Sequence, residues 1–175
     1  MKFRLIKLET LSGKKATIYS AIVQDETKTL FDNFISENIK DYKDELLKIR
    51  KTILTISGDT GARDSFFDKP EGKAGQSVYA LYDRPDSKLR LYCFRFDNNI
   101  LILGGGGFKP KNIRAFQEDT KLTYENNIVR YISDTLTQAI KDRDIRQSYD
   151  GMSLEGNLIF GDDFDEDLED LDEVY

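Results

Sequence analysis

The 175-residue chain contains no histidine, no tryptophan, one cysteine and three prolines. Each shortage closes a line of chemistry. Without histidine, the usual near-neutral proton carrier and the commonest nitrogen ligand for metals are both missing. A single thiol, Cys93, lying inside a strand-like run, permits no disulfide framework and no thiol-based metal site. No stretch approaches the roughly 18 apolar residues of a membrane span. The N-terminal MKFRLIKLETLSGKK lacks the apolar core of a signal peptide. The body has no cluster of acids at ligand spacing, so no metal and no cofactor are expected, and a reducing cytoplasm is the expected setting.

Charge is present but unevenly placed. The formal charge is −6, yet GDDFDEDLEDLDEVY at 161–175 holds nine acids and no base, leaving +3 for the rest. The low pI therefore belongs to the tail, and the body is mildly basic. The tail has two readings. One is a solvated acidic end that keeps the chain soluble. The other notes Phe164, Leu168, Leu171 and Tyr175 at helical spacing, an amphipathic and strongly negative segment able to dock on a basic face as a nucleic-acid mimic.

The length suits one domain, 1–160, with the tail appended. KFRLIKLE alternates, Ser12-Gly13 makes a turn and KATIYSAIV returns, which predicts an N-terminal hairpin. From Glu26 the period becomes helical. Leu30, Phe31, Phe34, Ile35 and Ile39 are followed by Tyr42, Leu46, Ile49, Ile53 and Ile56, with a break near Lys40-Asp41. That predicts a helical hairpin or one long bent helix, stopped at Gly58. A glycine-rich loop over 58–77 carries the aromatic pair Phe66-Phe67. Lys121 to Asp144 is a helix striped by Leu122, Val129, Ile132, Leu136 and Ile140. MSLEGNLIF at 152–160 adds a further strand. The expected fold is α+β: a small, mostly antiparallel sheet with helices packed on one side.

The richest segment is VYALYDRPDSKLRLYCFRFDNNILILGGGGFKPKN, from Val78 to Asn112. It reads as three strands joined by turns at RPDS and DNN. Ile100 to Leu103 is apolar on both faces and marks the most buried strand. Between Lys73 and Arg114 there are eight bases (Lys73, Arg84, Lys88, Arg90, Arg95, Lys109, Lys111, Arg114) against Asp83, Asp86 and Asp97, an excess of +5. Arg90, Tyr92, Phe94 and Phe96 share one strand face, and Leu89, Leu91, Cys93 and Arg95 share the other. Cations interleaved with aromatics suit an RNA-contacting surface. The duller reading is solvated, edge-protecting charge. Gly104 to Gly107 lacks the spacing and the terminal Lys-Ser/Thr of a phosphate loop. It reads better as a close approach of backbone or helix, and it would also leave room for an RNA backbone.

RLYCF, a short turn, ILILGGGGFKPK and a following helix resemble the RelE/ParE-type toxin superfamily in its HigB-like branch, whose pattern is "YRVLYFF … IVLLHGFxKK" before a helix. The resemblance spans about residues 45–140. The chain departs from the pattern in having a glycine where a histidine often stands. The resemblance implies the toxin of a toxin–antitoxin pair, a metal-independent, ribosome-associated mRNA endonuclease held in check by a helix-turn-helix antitoxin. By position it assigns Arg90, Tyr92, Lys109 and Lys111 to catalysis. Arg63, Tyr79, Arg84, Arg95 and Arg114 are the expected RNA contacts. Without metal, the RNA's 2′-hydroxyl would attack the adjacent phosphate, cations would stabilise the anion, and Tyr, Lys or Arg would move protons. The alternative is a non-catalytic protein- or nucleic-acid-binding module of the same fold.

Overall fold

Strand Ile100–Phe108 is the centre of the molecule, and its sequence explains why. Ile100 and Ile102 point to one side of the sheet and Leu101 and Leu103 to the other, and all four are buried. A strand apolar on both faces must be covered twice. The computed structural model describes residues 1–67, 70, 77–81, 84–111 and 119–161. Lys73, Asp83, Arg114 and the acidic run 162–175 lie outside the described residues.

The described elements run β1 (Phe3–Lys7), β2 (Thr17–Val23), α1 (Leu30–Thr55), β3 (Val78–Ala80), β4 (Leu89–Phe96), β5 (Ile100–Phe108), α2 (Thr120–Lys141), β6 (Ile145–Gln147), β7 (Leu154–Gly156) and β8 (Ile159–Phe160). The main sheet has the order β3-β4-β5-β2-β1-β8, and β6-β7 form a separate ribbon. Every pairing in the main sheet is antiparallel except β2 with β5. The protein is therefore α+β, with a mixed but mostly antiparallel sheet.

The helices depart from expectation. They do not share a side: α2 packs on the face of Tyr92, Phe94, Ile100 and Ile102, whereas α1 packs on the face of Leu91, Cys93, Leu101 and Leu103. The double-sided burial of β5 demands this. The expected N-terminal hairpin, β1–β2, joins the main sheet, because β2 pairs in parallel with β5 from Thr17–Ile100 to Ser20–Leu103. Beyond Ser20 the two strands part. The Ser20 hydroxyl holds the fork, donating to Leu103 O at 2.7 Å and accepting from Phe31 N at 3.2 Å.

Both helices begin on side-chain caps, which supply acceptors to amides with no partner inside the helix. Thr29 accepts from Asp32 N at 3.1 Å, and Asp119 accepts from Leu122 N at 2.8 Å. Asp32 adds negative charge at the positive end of α1. The expected break in α1 falls at Tyr42, whose φ/ψ of −132°/34° is non-helical. After α1 a π-helical turn, Ile56–Thr60, carries the chain past Gly58, and Gly61 at φ +77° ends it. A Cβ at Gly61 would stand 2.9 Å from Asn98 O, so glycine is needed there for space as well as conformation. The strand expected at 152–160 is two short ones, β7 and β8. No helix among the described residues is long and apolar enough to cross a membrane.

Candidate nucleic-acid interface

The glycine run belongs to β5 itself. Cys93 pairs with Leu103 and Leu91 with Gly106, so one residue of β4, Tyr92, lies opposite two of β5. Gly104 and Gly105 are thus a β-bulge, and α2 lies directly over it. A Cβ at Gly104 would sit 2.2 Å from Val129 Cγ2, and one at Gly105 would sit 2.1 Å from Glu125 Oε2. At Gly106 it would meet Arg90 O at 1.8 Å. The glycines serve close approach of helix and backbone, so the face at Gly104 and Gly105 is filled by α2 and has no room for an RNA backbone.

This packing decides the fate of Tyr92. The alternation along β4 is as expected, but the face shared by Tyr92 and Phe94 is core. Tyr92 is 0 % exposed, and Val129 and Ile132 of α2 pack in the same cluster. A fully enclosed phenol is not placed to meet RNA, which corrects its assignment as a surface catalytic group. On the opposite face Cys93 is enclosed as well. Burial pushes its thiol far above the usual range, with Arg95 pulling weakly the other way, so it is no nucleophile.

The remaining candidates divide into two groups, one at each end of β4. Arg95, Tyr79 and Arg63 belong to the first. The Arg95 side chain is only 14 % exposed. Its guanidinium donates to Ala62 O at 2.7 Å and pairs with Asp64. It also lies 4.7 Å from the centroid of the Phe67 ring and 5.0 Å from that of Tyr79. Burial opposes its charge, and the Asp64 and Tyr79 interactions outweigh that, so the proton is held more tightly than usual. Arg95 is a structural clamp that ties the loop after α1 to β3 and β4. Arg63 is exposed at the rim of this clamp.

The second group gathers where β4 begins and β5 ends. Lys109 N donates to Lys88 O at 2.7 Å, and Lys109 Nζ donates to Arg84 O at 3.1 Å. The turn before β4 is closed by Ser87 Oγ, which accepts from Arg84 N at 3.0 Å. Arg90 is half-buried opposite Gly107. Lys111 is exposed just beyond. Arg84, Lys88, Arg90, Lys109 and Lys111 are thus brought to one end of the hairpin. Beside them runs a groove of about 770 Å³ between α1 and the 84–88 turn. Its walls add Lys40, Lys43 and Lys48, opposed by Asp41, Asp44, Asp86 and Glu45. Glu45 is committed elsewhere: Oε1 accepts from Lys88 N at 2.8 Å and Leu89 N at 2.9 Å.

Several residues at this end were not singled out from sequence. Tyr42 and Phe108 stack at 5.8 Å between centroids and 14° between planes. Lys121, in the first turn of α2, bridges Glu37 of α1 at 3.0 Å and Glu125 at 2.7 Å. Glu125 is only 7 % exposed, and its Oε2 has no hydrogen-bond partner among the described residues. Burial lifts the Glu125 carboxyl above the usual range against the opposing pull of Lys121. Lys121 loses some basicity to burial but gains more from its two carboxylates. One signal was available: Glu125-Asn126 interrupts the apolar stripe between Leu122 and Val129, four residues after a lysine. Among the described residues, no group of three or more Cys, Asp or Glu side chains is placed to hold a metal ion. No protein-family model, no curated protein and no solved structure matches the chain.

Proposed function

We propose that the protein binds RNA at the open end of the β4–β5 hairpin. The observation that supports this most is the convergence of Arg84, Lys88 and Lys109, tied together through the backbone carbonyls of Lys88 and Arg84. Those bonds fix the backbone that carries the cations, so three positive charges converge where phosphate oxygens can meet them. Arg95 falls outside this surface, because its guanidinium already has a carboxylate, a carbonyl and two rings, and Arg63 and Tyr79 lie beside it at the other end of β4.

The test is a salt titration of binding to a short single-stranded oligoribonucleotide. Replacing Arg84, Lys88 and Lys109 together by Gln should weaken binding more than tenfold. It should also flatten the log–log salt slope by roughly 2, at about 0.7 for each phosphate no longer neutralised. Unchanged affinity and slope in a folded triple variant sink the proposal.

A second reading keeps the toxin: a metal-independent, ribosome-associated mRNA endonuclease restrained by a helix-turn-helix antitoxin. What favours it is that Arg90, Lys109 and Lys111 stay together at this end with Tyr92 removed from the set. Charge stabilisation of the cyclising phosphate would then fall to these cations. Induced expression should arrest growth with cleaved mRNA, and Arg90→Ala should abolish the arrest. Normal growth with intact mRNA removes the endonuclease and leaves RNA binding standing.

A further inference from the structure

We infer that the Tyr42–Phe108 pair is a stacking platform for an unpaired base of a single-stranded nucleic acid. The inference rests on the RNA-binding reading above and adds what is recognised: a nucleobase, in addition to phosphates. Phe108 is the last residue of β5 and is 46 % exposed, although its register partner Leu89 is in the core. A large apolar ring at a strand end normally finds cover. Here one side is covered by Tyr42, nearly parallel to it, and the ring remains about half open to solvent.

Two local irregularities maintain this arrangement. The non-helical φ/ψ of Tyr42 bends α1 where its ring meets Phe108. The bulge at Gly104-Gly105 resets the strand, so that Phe108 falls on the α1 face and Gly107 faces Lys121 on the other. The surroundings carry both signs, Asp41, Asp44, Glu45 and Asp86 standing against Lys40, Lys43, Lys48, Arg84 and Lys88 in the groove, and Lys109 adds to the cationic side. Tyr42 lines the same groove as Arg84 and Lys88, and Lys109 follows Phe108 directly. An exposed ring with cations on its flanks is how a base and its neighbouring phosphates are held in sequence-tolerant single-strand recognition. A duplex keeps its bases stacked on each other and offers this ring nothing, so single strands are the occupant.

The experiment uses the full chain and an oligoribonucleotide with one 2-aminopurine, beside a blunt RNA duplex. Wild type should quench the fluorophore on binding. Phe108→Leu should lose the quench and about tenfold in affinity for the single strand, with duplex affinity unchanged; Phe108→Tyr should retain both. Quenching with RNA and with the deoxy oligomer would support a platform indifferent to the sugar, and quenching with RNA alone would support an RNA-selective one. If Phe108→Leu folds and binds and quenches as wild type does, the platform is wrong while the cationic surface stands. If wild type binds no nucleic acid but binds poly-glutamate through Phe108, both readings fall in favour of an acidic protein partner.

Discussion

At Glu125, burial and charge pull in opposite directions. The carboxyl lies under α2 against bare Gly105 backbone, with Lys121 on its own helix and Glu37 across on α1. Burial raises its pKa, the Lys121 hydrogen bond and charge lower it, and the Glu37 charge raises it further, with a net rise. A carboxyl whose folded pKa is raised binds its proton more tightly in the native chain than in the unfolded one. It therefore favours folding at low pH, and that contribution is lost as pH climbs from the ordinary glutamate value of 4.5 through the raised one. We predict that wild type loses stability relative to E125Q over that window, read from urea melts at stepped pH. A pH-independent difference would show that Glu125 titrates as an ordinary exposed glutamate. The sequence carries only a trace of this, in the polar Glu125-Asn126 that interrupts the apolar stripe of α2. A lysine four residues before a glutamate looks like a surface pair until Gly104, Gly105 and Gly107 of β5 are seen to let α2 down onto the sheet. Tyr92 failed for the same reason: alternation gave its face correctly, but only α2 showed that the face was core.

Among the elements, the β4–β5 hairpin was the most legible. Alternating aromatic and aliphatic residues, a turn before Leu89 and an apolar four-residue run carried enough information to place β4 and the first half of β5, but not its continuation through the glycines to Phe108. What periodicity cannot carry is which helix covers which face. Apolar residues on both sides of β5 called for two covers, and a one-sided packing underestimated that demand. The forking of β2 from β5 was also hidden, since it depends on one hydroxyl, Ser20, serving both Leu103 and Phe31. Glu45 shows how one element fixes the geometry of another. Its carboxylate receives the first two amides of the β4 region and so pins the cationic end of the hairpin to α1. Charge-assisted bonds of this kind are worth more than neutral ones. We predict that Glu45→Ala destabilises the fold by about 1–2 kcal/mol. Amide exchange should quicken at Lys88 and Leu89 first, with weaker RNA binding following. Unchanged exchange at those two amides would remove Glu45 as the anchor.

For the molecule as a whole, the dominant fact is the split between a body of +3 and an acidic tail of nine carboxylates. If RNA binds the body as proposed, its positive charge favours the approach of phosphates, and a tethered anion competes with them at any distance the salt does not screen. Removing 161–175 changes the formal charge from −6 to +3, since −6 + 9 = +3. Electrostatics alone then requires tighter RNA binding, with the gain fading as salt rises. Specific docking of the tail makes a different demand. Replacing Phe164, Leu168, Leu171 and Tyr175 by Ser leaves the charge untouched and removes any apolar hold. We predict that this four-Ser variant gains RNA affinity as the deletion does, and that part of the gain survives high salt. If only the deletion strengthens binding, and the effect disappears at high ionic strength, the tail acts as a diffuse charge screen and the docking reading is wrong.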